Sequence, residues 1–205
     1  MGHHCRHGLS VADPRRALLA AVLATLTPAL PAATANGIET NAQERTYAIR
    51  GDTAAALREQ MRTLGPAVAA DGGHFAAWTQ WQLQWHYDYL RDDGGCRIGA
   101  SRVELTTTMT LPSWVDYARA TPALRQRWDE FVTRLRTHED GHREHGMQAA
   151  RAVRQVIDHV GRALDCRTLG EQIDAYAHAA IAQQAWADKD YDARTRHGQT
   201  QGAQL

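Results

Sequence analysis

The sequence predicts an α+β domain in which a short antiparallel sheet is followed by a long helix and a second, C-terminal helix. Two segments, residues 75–90 and 97–111, alternate apolar and polar side chains, which is typical of half-buried strands. Beyond residue 121 the spacing of apolar residues changes to three and four, which is typical of amphipathic helices. We therefore expect the strands to come first and the long helices afterwards, within one domain.

The first 35 residues have the pattern of a signal peptide. Arg15 and Arg16 precede an apolar run over residues 17–30, and the small residues at 33 and 35 suit a signal-peptidase site. The run is short and proline interrupts it, so it does not suit a membrane span. We predict cleavage after Ala35, a mature domain at residues 36–205 that is periplasmic or secreted, and no stable membrane anchor after cleavage.

The balanced charge of the chain gives no electrostatic reason to expect nucleic acid or an anionic membrane surface as a partner. The chain has 23 basic and 23 acidic side chains. Its net charge therefore favours neither nucleic acid nor an anionic membrane surface, and we expect no nucleic-acid partner.

The strands and the first helix follow in order along the mature chain. Residues 45–50 indicate a short strand, and Asp52 or Thr53 is placed to cap a helix that ends at Leu64. The next strand has an aromatic face made of Trp81, Leu83, Trp85, Tyr87 and Tyr89. Residues 92–95 form the turn. The returning strand alternates through Val103, Leu105, Thr107 and Met109.

Two long helices are predicted after the sheet. Thr121 as N-cap and Pro122 at the first helical position begin a helix that runs to about Val160. The second helix runs from about Leu169 to Tyr191. Residues 195–205 show no apolar periodicity, so we expect an irregular tail there.

Cys96 and Cys166 are the cysteines that remain after removal of the signal peptide. An even pair in an exported protein predicts a disulfide. Neither cysteine has a Cys or His close by in sequence, so zinc binding by this pair is the less favoured alternative.

The main chemical signal is His138-Glu139-Asp140-Gly141-His142, an H-E-x-x-H match inside the first long helix. A spacing of four residues places both imidazoles on one helix face, where they can share a metal ion. The intervening Glu139 is placed to take a proton from a metal-bound water.

The position of this motif on its helix strengthens the metal interpretation. The helix has a buried stripe formed by Leu124, Trp128, Phe131 and Leu135. His138 and His142 continue that stripe, so both histidines are expected to face the core. Two core histidines bonded to the backbone are the alternative, and the glutamate between them argues against it.

Several segments of the mature chain point to a known family: FAAWTQWQLQWHY, GGCRI, RVELTTTMTLPSW, RWDEFVTRLRTHEDGHREH and YDARTRHGQTQGA. The chain resembles a bacterial family labelled as a domain of unknown function and as predicted secreted zinc-dependent proteases. The resemblance covers nearly everything after the signal peptide. It implies an exported zincin-like domain with His138 and His142 as Zn²⁺ ligands and Glu139 as the base.

A catalytic zinc site needs a third protein ligand beside the two histidines. We favour His197 in the C-terminal tail, because the resemblance includes that segment. The carboxylates of Glu171 and Asp192 are alternatives. His145 shares the helix face, but it lies about 10.5 Å along the axis from His138, which suits a neighbouring role better than that of a ligand.

Two functions of different classes are compatible with the sequence. The first is a zinc metallopeptidase that hydrolyses a peptide or another amide through a zinc-bound water activated by Glu139. The second is a non-catalytic exported zinc-containing binding module whose working surface is the aromatic strand around Trp81 and Trp85. Glu139 favours the hydrolase, because a pure binding site has no use for an acid between its ligands.

Overall fold

A computed structural model describes residues 37–68 and 73–205, so the predicted signal peptide and its cleavage site lie outside the described residues. The predicted α+β class is confirmed. The elements in chain order are β1 (Ile38–Ile49), α1 (Ala54–Leu64), β2 (Ala67–Val68), β3 (Gly73–His74), β4 (Trp78–Asp92), β5 (Gly95–Trp114), α2 (Pro122–His159), β6 (Arg162–Ala163) and α3 (Cys166–Thr195). Two short 3-10 turns lie at Tyr117–Arg119 and Gln199–Gln201.

The main sheet has the strand order β1-β5-β4, with β6 paired to the start of β5. The long strands β4 and β5 form the predicted antiparallel hairpin. β1, however, runs parallel to β5 over its whole length, so the expectation of a short, wholly antiparallel sheet is wrong. The chain makes this parallel pairing possible by returning through α1 before the hairpin begins, and parallel strands require such a crossover.

The first strand is longer than the sequence pattern indicates. β1 begins at Ile38 rather than at residue 45, and most of its residues are exposed. An exposed strand needs no alternation of apolar and polar residues, which is why its first half left no signal. The following helix begins as predicted, because the side chain of Thr53 accepts a hydrogen bond from the backbone N–H of Ala56.

The helices α2 and α3 pack on the sheet and on each other, and the buried residues of the described part of the chain form two core clusters. One cluster lies around Leu57, Leu111, Trp128 and Leu135. The other lies around Val103, Val153, Leu169 and Ile173, and the aromatic face of β4 packs against it as predicted. Thr121 caps α2 through its hydroxyl, again as predicted. No helix among the described residues has both the length and the apolar character needed to cross a membrane.

A disulfide joins Cys96 near the start of β5 to Cys166 at the start of α3, which confirms the predicted pairing. The two cysteines are 70 residues apart in sequence and both are buried. The bond therefore fixes one end of α3 to the sheet, and the opposite end of this helix carries the acidic residues of the site described below.

Residues 196–205 form an irregular tail as predicted, apart from one short turn, but this tail is packed against the core. Residues Gln199–Gln201 form a 3-10 turn. Ala203 and Leu205 are buried in the first core cluster, and Arg58 of α1 donates a hydrogen bond of 2.6 Å to the carbonyl of Leu205. The apolar residues of the tail show no periodicity, because a few separate contacts hold the tail in place. It has no repeating helical or strand face.

Candidate metal centre

The helix α2 places the three functional residues of its motif in the interior. The exposed fractions are 2% for His138, 3% for Glu139 and 5% for His142. These positions continue the buried stripe of Leu124, Trp128, Phe131 and Leu135. The sequence prediction that both histidines face inward is therefore confirmed.

The C-terminal half of α3 supplies two carboxylates to the same region. Asp192 contacts His138, and Asp188, one turn earlier on α3, contacts His142. The helices run antiparallel, so rising residue numbers on α2 meet falling numbers on α3. Asp188 and Asp192 are four residues apart, and this spacing places both on one helix face.

Three ligand atoms form a nearly equilateral triangle. His138 Nε2 lies 3.1 Å from Asp192 Oδ1, His142 Nε2 lies 3.2 Å from the same oxygen, and the two Nε2 atoms are 3.2 Å apart. A tetrahedral zinc ion with bonds of about 2.0–2.1 Å holds its ligands about 3.3 Å apart. His138, His142 and Asp192 could therefore hold a metal ion.

The cavity beside the triangle has a size that suits one small ion or one water molecule. A cavity of about 30 Å³ is lined by His138, Glu139, His142, Asp192 and His197, with Phe75 to Trp78 and Leu135 on its other sides. A volume of this order holds one water molecule or one ion. The volume of the cavity and the spacing of the ligand atoms are thus both compatible with one bound metal ion.

The carboxyl group of Glu139 is the unsatisfied polar group of this cavity. Within the described part of the chain, its Oε2 has no hydrogen-bond partner although the side chain is buried. Burial raises the pKa of Glu139, while the Thr79 hydroxyl and the nearby imidazoles act in the opposite direction. A buried oxygen without a protein partner is costly unless water or a ligand satisfies it. Glu139 is therefore free to bind a molecule in the cavity.

Each histidine of the triangle is also held through its second ring nitrogen. His142 Nδ1 donates to Asp188 Oδ1 at 2.8 Å, and His138 Nδ1 donates to Gln201 Oε1 at 2.9 Å. With the two Nδ1 atoms bonded in this way, both Nε2 atoms face the triangle. Such partners on the far nitrogen are typical of metal-binding histidines.

The electrostatics of the site favour a positive charge. Burial acts to lower the pKa of His142, but hydrogen bonds to Asp188 and Asp192 raise it to about 10. Burial acts to raise the pKa of Asp192, but hydrogen bonds from His138 and His142 hold it well below its ordinary value. The carboxylates therefore stabilise either a protonated imidazole or a metal cation in this place.

His145 lies next to the triangle and not in it. Its Nδ1 is 2.7 Å from Asp188 Oδ1, the same oxygen that accepts from His142. His142, His145 and Asp188 form a second group that could hold an ion. Their short contacts to Asp188 are hydrogen-bond lengths, so we assign His145 and Asp188 to the support of His142.

Of the other residues considered for the third ligand, His197 lies at the edge of the same cavity, and Glu171 lies far from it. The side chain of His197 is 50% exposed, and its Nδ1 is 3.3 Å from Asp192 Oδ1. The imidazole also contacts the ring of Phe75, so it forms part of the cavity wall beside the triangle. Glu171 pairs with Arg167 near the start of α3, roughly 30 Å along the helix from Asp192, which excludes it from the site.

Sequence reasoning overlooked Asp188, Tyr191 and Gln201. Asp188 and Asp192 repeat on α3 the four-residue spacing of the histidines on α2, and this signal was available in the sequence. Tyr191 stacks on the ring of His138 at a centroid distance of 4.9 Å. Gln201 lies in the tail, where no local pattern indicates that its side chain reaches the long helix.

The fold and the site together define an α+β domain with a buried His/His/Asp cluster between two helices that could hold a metal ion. The chain belongs to the family described as "Bacterial protein of unknown function (DUF922)", whose model matches residues 44–198. The resemblance to a bacterial domain of unknown function is thereby confirmed, and the family description names no activity. No curated protein and no solved structure matches the chain.

Proposed function

We propose that this protein is an exported zinc-dependent hydrolase of amide bonds, a metallopeptidase in its reaction type. One observation carries the proposal. The triangle of His138 Nε2, His142 Nε2 and Asp192 Oδ1 shares its cavity with the unpartnered, buried carboxylate oxygen of Glu139. A site that only binds a metal has no need for a buried acid beside the ligands.

We assign zinc to this donor set, because the set lies beside the acid of an H-E-x-x-H motif. Two imidazole nitrogens and one carboxylate oxygen are typical of catalytic zinc sites, which keep a fourth position open. When bound, a zinc ion lowers the pKa of a coordinated water and polarises an amide carbonyl. His138, His142 and Asp192 would hold the ion, and Gln201 and Asp188 would orient the two imidazoles.

Glu139 supplies the acid–base chemistry in this proposal. Its carboxylate takes a proton from the attacking water and passes it to the leaving amine, the role that a general base and acid plays in amide hydrolysis. The backbone of α2 fixes the carboxylate between the two histidines, and its burial keeps competing solvent away. The substrate is a peptide or another amide.

Export is supported by the disulfide and by the signal pattern. The bond between Cys96 and Cys166 forms and persists in oxidising compartments such as the periplasm or the extracellular space. The N-terminal segment with its apolar run has the order expected of a signal peptide. We therefore assign the mature protein to the periplasm or to the medium.

The alternative of a non-catalytic zinc-containing binding module depends on an aromatic working surface. Trp81 and Trp85 instead pack against the second core cluster beneath the helices. Their rings therefore contribute to the core, and we do not propose the binding module.

The test is a comparison of wild-type protein with Glu139→Gln. We expect about one zinc per chain in both, and a loss of hydrolysis of about 100-fold or more in the variant, measured as new amino termini released from unfolded protein substrates. Glu144→Gln is the matched control, since Glu144 lies on the exposed side of α2 and pairs with Arg151. Loss of zinc from Glu139→Gln, or undiminished hydrolysis, would refute the assignment.

A further inference from the structure

The imidazole of His138 is held by a closed ring of hydrogen bonds that begins and ends on the same residue. His138 Nδ1 donates to Gln201 Oε1 at 2.9 Å, and Gln201 Nε2 donates to the hydroxyl of Tyr191 at 3.0 Å. That hydroxyl donates in turn to the backbone carbonyl of His138 at 3.3 Å. Each polar group of the ring has a partner, so the orientation of Gln201 is determined on both sides of its amide.

The imidazole of His138 is also fixed by residues that pack against its ring. The ring of Tyr191 stacks on it with an angle of 14° between the planes. Gly198 lies so close that an added Cβ would be 3.0 Å from His138 Cγ, and its φ of +81° also favours glycine. A larger residue at 198 would therefore push either the tail or the imidazole out of place.

Gln201 determines which nitrogen of His138 is available to a metal. The amide oxygen can only accept a hydrogen bond, so the proton of the neutral imidazole must sit on Nδ1. Nε2, which lies in the triangle with Asp192 and His142, then has its lone pair available to a metal ion. Without this partner the imidazole could rotate or change its tautomer, and each alternative would remove the lone pair from the site.

The segment that carries Gln201 is also anchored at a distance from the site. We call residues 196–205 the C-terminal cap. Ala203 and Leu205 are buried in the first core cluster, and the carbonyl of Leu205 accepts a hydrogen bond from Arg58. The cap therefore links α1 and the first core cluster to the metal centre.

We propose that Gln201 is a positioning residue for His138, and that the metal affinity of the centre depends on docking of the C-terminal cap. The inference rests on the proposed function for the identity of the metal site. It assigns to the cap the positioning of a metal ligand, in addition to its packing against the core. Undocking of the cap would then weaken metal binding without any change in the ligands themselves.

The test is zinc affinity measured by competition with a chelator, together with the visible absorption spectrum of the cobalt-substituted protein. Gln201→Leu keeps the side-chain volume and removes the acceptor, and we expect it to weaken zinc binding by about 10- to 100-fold. Gln201→Glu retains an acceptor oxygen, so its affinity and cobalt spectrum should stay close to those of the wild type. Gln199→Leu is the matched control on the exposed side of the same turn.

The outcomes separate this inference from the proposed function. If Gln201→Leu binds zinc as tightly as the wild type while His138→Ala does not, the metal site stands and the role of Gln201 is refuted. If Gln201→Leu and Gln199→Leu weaken binding equally, the effect belongs to general packing and the inference is wrong. If the wild-type protein binds no zinc, both proposals fail.

Discussion

Asp188 and Asp192 stand four residues apart on α3 and contact the two different ring nitrogens of His142. Asp188 Oδ1 is 2.8 Å from Nδ1, and Asp192 Oδ1 is 3.2 Å from Nε2. The i, i+4 spacing of the histidines on α2 is thus matched by the same spacing of carboxylates on the facing helix. One carboxylate is placed to share a metal with the imidazole, and the other to orient it.

We predict that Asp188→Asn weakens zinc binding by about 10- to 100-fold without removing the site. The neutral amide is a weaker acceptor, and it must serve both His142 and His145. Chelator competition measures the change. Asp190→Asn is the control, because Asp190 pairs with Arg194 away from the site. An unchanged affinity in Asp188→Asn would show that this hydrogen bond does not support the ligand.

We predict that Asp192→Ala abolishes zinc binding as severely as His138→Ala does, whereas His197→Ala retains the metal. Asp192 Oδ1 belongs to the triangle, while His197 contacts that carboxylate from the rim of the cavity. Metal analysis of the purified variants distinguishes the two residues. The opposite order of losses would make His197 the third ligand, as the sequence alone led us to expect.

The sequence predicted those parts of the fold and site that depend on local patterns. The burial of His138 and His142 followed from the spacing of the stripe on α2. The starts of the first two helices followed from their cap residues, although the sequence left Asp52 and Thr53 open for the first one and the structure selects Thr53. Such features need only the geometry of one helix, which the order of residues determines directly.

The remaining features depend on contacts between distant segments. Asp192 meets His138 across 54 residues of sequence, and Gln201 meets it across 63. No periodicity connects such positions, so the choice among Glu171, Asp192 and His197 stayed open until the path of α3 was known. The parallel pairing of β1 with β5 could not be predicted for the same reason. The residues of an exposed strand do not indicate which strand lies beside it.

The disulfide should contribute substantially to the stability of the domain. For a loop of 70 residues, the chain-entropy model gives about 4 kcal/mol of stabilisation. We therefore predict that replacing Cys96 and Cys166 by serine lowers the free energy of unfolding by about this amount, measured by denaturant titration. Reductant should destabilise the wild type and leave the double variant unaffected. Equal stability of both proteins under oxidising conditions would contradict the prediction.

Export should produce a defined mature N-terminus. If cleavage follows Ala35, the protein recovered from the periplasm or the medium begins at Asn36, and its intact mass reports this directly. A bulky residue in place of Ala35 should block processing, whereas the same change at Ala32, outside the small-residue positions, should not. Recovery of the uncleaved chain from the cytoplasm would contradict the assignment.

The glycine of the H-E-x-x-H segment gives the sharpest test of the packing around the centre. An added Cβ at Gly141 would lie 2.5 Å from Cζ of Tyr191, too close for any real contact. Alanine is ordinarily the better helix former, by about 1 kcal/mol. We nevertheless predict that Gly141→Ala lowers both the thermal midpoint and the zinc affinity, because Tyr191 must move away from His138.

A double-mutant cycle isolates this contact. In a Tyr191→Ala background the obstacle is gone, so Gly141→Ala should no longer destabilise the protein and should gain up to about 1 kcal/mol from its helix propensity. The sign of the effect on stability therefore reverses between the two backgrounds. The same destabilisation in both would mean that Gly141 is required for a reason other than the approach of Tyr191.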